Sequence, residues 1–306
     1  MRICSLFPGG TEWLYALGLG DAVVGVSHEC TYPPEASKKP VVICPRVNVD
    51  SLSSDEIHTA VRQALASNEA LYGLDLQRLA QLQPDLIVTQ TLCEVCAIGA
   101  RHVAEALRAL PRAPRIVSLH AHTLEQLFGE LRLLGHVTNR SRVAGQLVVS
   151  LTQRMDRVRA RIPSTSAPPR VCCLEWLQPL MVAGHWVPEM VERAGGMDVL
   201  GRPGEPSYIV TEDAVLAAQP DILVVMPCGF SMERTHHELP RLASQAWWRA
   251  LPAVQHRRVY VVNGPAYFNC PGPRLIDGVE IFANLFHPTS AATAMPSDAV
   301  ELVSAP

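Results

Sequence analysis

The sequence predicts an α/β protein of two lobes joined by a long helical segment, and three observations carry that prediction. Short β-rich apolar runs alternate with helical patterns, as parallel strands connected by crossover helices do. From Thr123 the alternation gives way to apolar residues every three or four positions (Leu124, Leu127, Phe128, Leu131, Leu134, then Val143, Leu147, Leu151, Met155), and it resumes after the proline-rich stretch 163–169. The 306 residues are long for one core and suit two domains of about 150 residues each.

In the first half, strands are predicted at 2–7, 22–27, 40–43, 85–90 and 115–120, with helices at 11–18, 53–66, 75–82 and 97–109. The helix at 53–66 takes Ser53 or Ser54 as its N-cap and has Glu56 in its first turn. Residues 123–161 read as one long helix or two abutting ones, with Asn139 marking the only break. Pro168 and Pro169 keep the helix from continuing. The second half restarts with strands at 170–175, 180–183, 221–226 and 258–262 and helices at 187–195, 211–218, 232–246 and 272–286. The chain thus divides into an N-terminal α/β lobe at 1–122, a linking helix at 123–162, a C-terminal α/β lobe at 163–288 and a tail at 289–306. The tail is small, polar and aperiodic, and disorder is expected there. An internal echo relates the lobes: Gln83-Pro84-Asp85-Leu86-Ile87-Val88 in the first, Gln219-Pro220-Asp221-Ile222-Leu223-Val224 in the second. A cysteine lies just past each of these strands, Cys93 and Cys228.

A formal charge of -3 gives no concentrated Lys and Arg with which to grip phosphates, so neither nucleic acid nor an anionic membrane is an expected partner. No window approaches the roughly 20 apolar residues of a membrane span. The apolar run at residues 3–8 is too short for the core of a secretory signal. Nine scattered cysteines do not form the dense framework of a small secreted domain, and a cytoplasmic location is expected.

Ligands of parallel α/β sheets sit beyond the carboxyl ends of the strands, so residues just after strands are the candidates for a site. They include Gly10 and Thr11; His28, Glu29 and Cys30; Cys93 and Cys96; and His120. The second lobe adds Trp176, His185, Trp186, Cys228, Gly229, Tyr267 and Phe268. Gly9-Gly10-Thr11 opens a helix and can greet an anion. Cys93-Glu94-Val95-Cys96 has the spacing that lets two sulfurs meet one metal ion or each other. Cys30, Cys228 and His28 join it if the lobes close on one another. The same thiols also read as small buried hydrophobes or as a redox pair. Trp176, Trp186 and Tyr267 suit a pocket lining, because a flat ring stacks on a planar ligand at little entropic cost. His28, His120 and His185 can each offer a neutral imidazole to a metal. Trp247, Trp248, Cys4, Cys172 and Cys173 read as core. Gly-x-Ser-x-Gly, a Walker-type phosphate loop and His-Glu-x-x-His are absent, and no catalytic residue is assigned.

Residues 2–287 resemble the class III substrate-binding proteins of ABC importers, in their vitamin B12- and siderophore-binding branch. The resemblance rests on Pro8-x-x-Thr11-Glu12 after a strand, Ala16-Leu17-Gly18-Leu19-Gly20-Asp21 with Val24-Gly25-Val26, and the two Gln-Pro-Asp openers. Ala194-Gly195-Gly196 with Asp198-Val199, and Arg258-Val259-Tyr260, complete it. Ser27-His28-Glu29-Cys30, Leu174-Glu175-Trp176-Leu177, Gly184-His185-Trp186 and Pro227-Cys228-Gly229-Phe230 look like a cobalamin-binding-like subgroup.

The resemblance implies two Rossmann-like lobes on a long backbone helix, closing by a small rocking motion. It implies a corrinoid or other metal-chelate ligand, with Trp176, Trp186 and Tyr267 against the macrocycle and His28 or His185 near its metal. An ABC importer is the implied partner, although Gln77 and Asp213 stand where the family's docking glutamates are expected. The alternative expectation is a metal- or iron-sulfur-dependent redox protein in which Cys30, Cys93, Cys96 and Cys228 hold zinc or a cluster.

Overall fold

The computed structural model describes residues 1–46, 52–67, 70–91, 107, 112–162, 167–288 and 294–303. The first lobe contains β1 (Ile3–Ser5), α1 (Pro8–Ala16), β2 (Val23–Ser27), β3 (Val41–Pro45) and α2 (Ser54–Ala66). It continues through β4 (Tyr72–Leu74), α3 (Leu76–Leu82), β5 (Leu86–Gln90) and β6 (Arg115–Leu119). Its sheet runs β4-β3-β2-β1-β5-β6, parallel except for β4. Two helices follow, α4 (Leu124–Val137) and α5 (Ser141–Arg161).

The second lobe opens with β7 (Arg170–Trp176), β8 (Met181–Val182), α6 (Val187–Arg193), β9 (Met197–Asp198) and β10 (Tyr208–Ile209). Next come α7 (Glu212–Ala218), β11 (Ile222–Val225), α8 (Met232–Ala243), α9 (Ala246–Arg249) and α10 (Pro252–Gln255). The lobe ends with β12 (Val259–Val262), α11 (Gly264–Tyr267), α12 (Leu275–Phe286) and β13 (Val300–Leu302). Its sheet runs β10-β8-β7-β11-β12-β13, with β9 beside β7. The central strands β7, β11 and β12 are parallel, while β8, β10 and β13 pair antiparallel.

Local chemistry sets the ends of these elements. Pro8 opens α1 at the position where its missing N–H costs nothing. Ser53 and Glu56 form a reciprocal capping box on α2. The sequence echo is a geometric repeat: α3 ends on Gln83 and α7 on Gln219, with φ of 45° and 44°. Each left-handed cap turns the chain into a Pro-Asp strand opener. The Asp85 carboxylate then accepts the Arg2 main-chain N–H at 2.8 Å, and Asp221 accepts that of Arg170 at 2.8 Å.

The 123–161 segment is two helices. The left-handed Asn139 (φ 58°) breaks the run, and the Arg140 N–H returns to the Gly135 carbonyl at 2.6 Å. One buried cluster joins α1 (Trp13, Leu14), α4 (Leu127, Leu131), α5 (Leu151, Met155) and α12 (Ile276, Phe282) to the central strands of both sheets. Arg154 on α5 reaches Glu280 Oε1 on α12 at 3.0 Å, reinforcing that seam.

Two expectations change. The tail is not disordered throughout its described part: Val300–Leu302 pairs with β12, Ala299 is fully buried, and Asp298 accepts from the Tyr267 hydroxyl at 3.0 Å. Three residues are too few to show a β alternation, so only the unpaired edge of β12 reveals the place for them. The helix expected at 232–246 divides into α8 and α9, because Ser244 and Gln245 leave the helical path. The helix expected at 97–109, with Cys93 and Cys96 just before it, lies outside the described residues apart from the helical, buried Leu107. Among the described residues no helix is long and apolar enough to cross a membrane.

Candidate functional site

Three sets of contacts bring the strand ends of the two lobes together. Beside α1, the buried Glu12 carboxylate is held by Arg274, with Nε 3.0 and 3.1 Å from its two oxygens. The Trp13 indole donates to the Pro271 carbonyl at 3.0 Å. Gly9 allows that approach, since a Cβ there would stand 2.6 Å from Pro271 O. The Arg274 guanidinium lies 4.1 Å above the centre of the half-exposed Tyr32 ring. Burial pushes the Glu12 carboxyl upward and Arg274 opposes that shift.

At the start of α2, Trp176 Nε1 lies 3.2 Å from the Ser54 carbonyl and 3.0 Å from that of Gln178. Arg234 donates to the Leu52 carbonyl at 2.6 Å, and the Ser54 hydroxyl donates to Glu238 at 3.1 Å. At the start of α4, the Leu124 N–H donates to Glu189 at 2.8 Å, and the rings of His122 and His185 lie 5.2 Å apart.

Several sequence candidates lie partly exposed at or just past the strand ends. His28 Nδ1 is 3.2 Å from the Ile43 carbonyl and 3.3 Å from Ser27 Oγ. Its Nε2 lies 4.0 Å from the exposed Glu29 carboxylate. Trp176 meets Phe230 edge to face at 5.1 Å. Cys228 sits beside Gly229, whose φ of 76° and open surroundings make a bare turn after β11. Burial, with His122 beside it, pulls the His185 imidazole down to about 4, so it is neutral at neutral pH.

Packing claims the other candidates. Gly10 is buried in α1, where a Cβ would meet the Phe7 ring at 2.7 Å, so its missing side chain serves close packing. The Thr11 hydroxyl is enclosed 3.3 Å from the Phe7 carbonyl and 3.0 Å from Cys30 Sγ. Trp186 is buried and donates to the Phe268 carbonyl at 2.7 Å. Phe268 is fully buried with its ring 4.6 Å from that of Phe282. Tyr267 is buried with its hydroxyl on Asp298, and the two together push its pKa up to about 12. All three rings follow strands, as expected, but fold back onto the core instead of outward.

The cysteine expectation is only partly visible. Burial pushes the Cys30 thiol up to about 12, and its Sγ accepts from the Thr11 hydroxyl at 3.0 Å. Cys93 and Cys96 lie outside the described residues. Among the described residues no group of three or more His, Cys, Asp or Glu is arranged to hold a metal ion. His120 contributes its main-chain N–H to Glu130.

Glu12, Trp13, His122, Arg234, Glu238 and Arg274 escaped the sequence reading as site residues. Glu12, Trp13 and His122 do lie in stretches that follow predicted strands, whereas Arg234, Glu238 and Arg274 depend on partners far away in the chain.

The family model described as "Periplasmic binding protein" matches residues 3–266. A vitamin B12-binding protein of Vibrio cholerae serotype O1 is 26% identical over 285 residues, 91% of this chain and 86% of its own length. A cobalamin-binding protein of Halobacterium salinarum is 24% identical, spanning 94% of this chain and 70% of its own. The crystal structure of the periplasmic vitamin B12 binding protein BtuF of Vibrio cholerae aligns with a TM-score of 0.66 at 25% identity, covering 93% of this chain and 96% of that one. A periplasmic heme binding protein from Pseudomonas aeruginosa aligns with a TM-score of 0.75 at 20% identity, covering 99% and 98%.

Proposed function

The chain belongs to the periplasmic binding protein family, and from that premise we propose that it captures a corrinoid, or a metal chelate of similar shape, in the cleft between its lobes. The carrying observation is the junction itself. Trp176, a flat ring hydrogen-bonded across it to Ser54, and the His185 imidazole, whose ring lies 5.2 Å from that of His122 of the other lobe, stand at or just past strand ends at the junction, and a third candidate, His28, follows a strand of the first lobe. A planar face and nitrogen donors are the complement of a macrocycle with a metal at its centre. Relatives named for vitamin B12 and cobalamin, matched over nine-tenths of this chain, support the corrinoid over other chelates.

In this reading the protein binds and does not catalyse. A cytoplasmic setting belongs to the same proposal, supported by thiols at Cys4, Cys30, Cys172, Cys173 and Cys270 that form no disulfide. Importer docking is a weaker part of it: Gln77 and Asp213 lie exposed on the first turns of α3 and α7, and an amide opposite a carboxylate makes an unmatched pair. Titration with hydroxocobalamin, with hemin in parallel, tests the ligand. A shift in the visible spectrum with binding heat is the expected result. Neither signal at about 50 µM hydroxocobalamin would overturn the corrinoid assignment.

A further inference from the structure

His122 and His185 come from opposite lobes, and their rings stand 5.2 Å apart, centre to centre, with 46° between their planes. Both are held from behind by the main chain. The His122 N–H donates to Gln126 Oε1 at 2.7 Å, just before α4 begins. The His185 N–H donates to the Glu205 carbonyl at 2.6 Å, and its own carbonyl accepts from Gly204 at 2.9 Å. That clasp holds His185 at a φ of 51°, a conformation that costs a non-glycine residue about 1–3 kcal/mol and persists only where its surroundings impose it. Gly184 permits the clasp, since a Cβ there would lie 2.4 Å from Glu205 O. Among the described residues neither ring has a hydrogen-bond partner through its nitrogens.

We propose that His122 and His185 form a two-imidazole site for a divalent first-row transition-metal ion at the lobe junction. Metal–nitrogen bonds of about 2.1 Å put each ring centre about 3.2 Å from the ion, and a tetrahedral angle then separates the centres by about 5.2 Å. The observed 5.2 Å between ring centres leaves room for one ion between the two rings. Neutral imidazole favours zinc, copper, nickel or cobalt. No third His, Cys, Asp or Glu completes the set among the described residues, so solvent or a bound molecule fills the other positions. An ion there ties the end of β6 to the end of β8 and so favours the closed arrangement of the lobes.

The test uses the full chain without an affinity tag, titrated with Co²⁺ and then Zn²⁺. One Co²⁺ per chain, with the strong visible absorption of a four-coordinate ion that Zn²⁺ abolishes, is the expected result. His122→Gln and His185→Asn should each weaken Zn²⁺ binding at least tenfold; Asn is chosen because it tolerates the left-handed backbone. His256→Gln, at an exposed position, should leave binding as it is. No Co²⁺ absorption at about 100 µM, or undiminished binding in both variants, overturns the site. A chain that binds Co²⁺ in this way while ignoring hydroxocobalamin supports the site and defeats only the corrinoid reading.

Discussion

Arg274 of the second lobe holds the Glu12 carboxylate of the first, and the Glu12 side chain is only 1% exposed. Breaking such a pair from one side strands a charge in the interior, at a cost of about 3–5 kcal/mol, whereas an apolar pair of similar volume is often tolerated. Arg274→Met should therefore lower stability by that order in urea unfolding, and Glu12→Met/Arg274→Met should recover most of the loss. Equal losses in the single and double variants would show that charge is not what the pair contributes.

Trp176 and Trp248 separate binding from folding. Trp176→Ala should weaken hydroxocobalamin binding by about 1–3 kcal/mol, the range for one well-placed aromatic in a pocket, with little change in thermal stability. Trp248 is 2% exposed and packs edge-on against Trp247 at 5.7 Å. Its replacement by Ala should cost about 3–5 kcal/mol of stability and little affinity. Affinity that follows Trp248 and ignores Trp176 would refute the cleft assignment.

Asp198 makes stability depend on pH. Burial lifts its carboxyl to about 6, against the Gly201 and Leu200 N–H groups that favour the charged form. Between its unfolded value, about 4, and about 6 the native state binds more protons than the unfolded one. Stability should thus fall as pH rises across that window, by up to about 3 kcal/mol. Asp198→Asn should flatten this slope in urea midpoints compared at pH 4.5 and 7. An unchanged slope in the variant would place its origin elsewhere.

Gly184→Ala should destabilise the chain by about 1–3 kcal/mol, the cost of overpacking. The new methyl would lie 2.4–2.6 Å from the main chain of Glu205, Pro206 and Ser207. The same change should displace His185. Wild-type melting with His185 unmoved in a crystal structure of the variant would contradict both.

The sequence made the central strands plain because each is a short apolar run followed by a helix. The Gln-Pro-Asp openers proved reliable because Gln83 and Gln219 both take the left-handed cap that their position requires. Strands β4, β9, β10 and β13 were illegible: two or three residues carry no period, and their pairing comes from neighbours already in place. Position after a strand does not give the direction of a ring. Trp186, Tyr267 and Phe268 found carbonyl, carboxylate and ring partners 82, 31 and 14 residues away, and nothing local announces such partners. Arg274 was missed for the same reason, its carboxylate partner lying 262 residues back.

Helices α4 and α5 belong to the same buried cluster as the central strands of both sheets. The connector is therefore part of a common interior and not a tether between bodies that melt on their own schedules. Heating should produce one calorimetric peak whose van't Hoff and calorimetric enthalpies agree. Loosening the seam, for instance at Leu151 or Phe282, should lower that single peak without splitting it. The cooperativity of the whole molecule is vested in the helices that carry the chain from one lobe to the other.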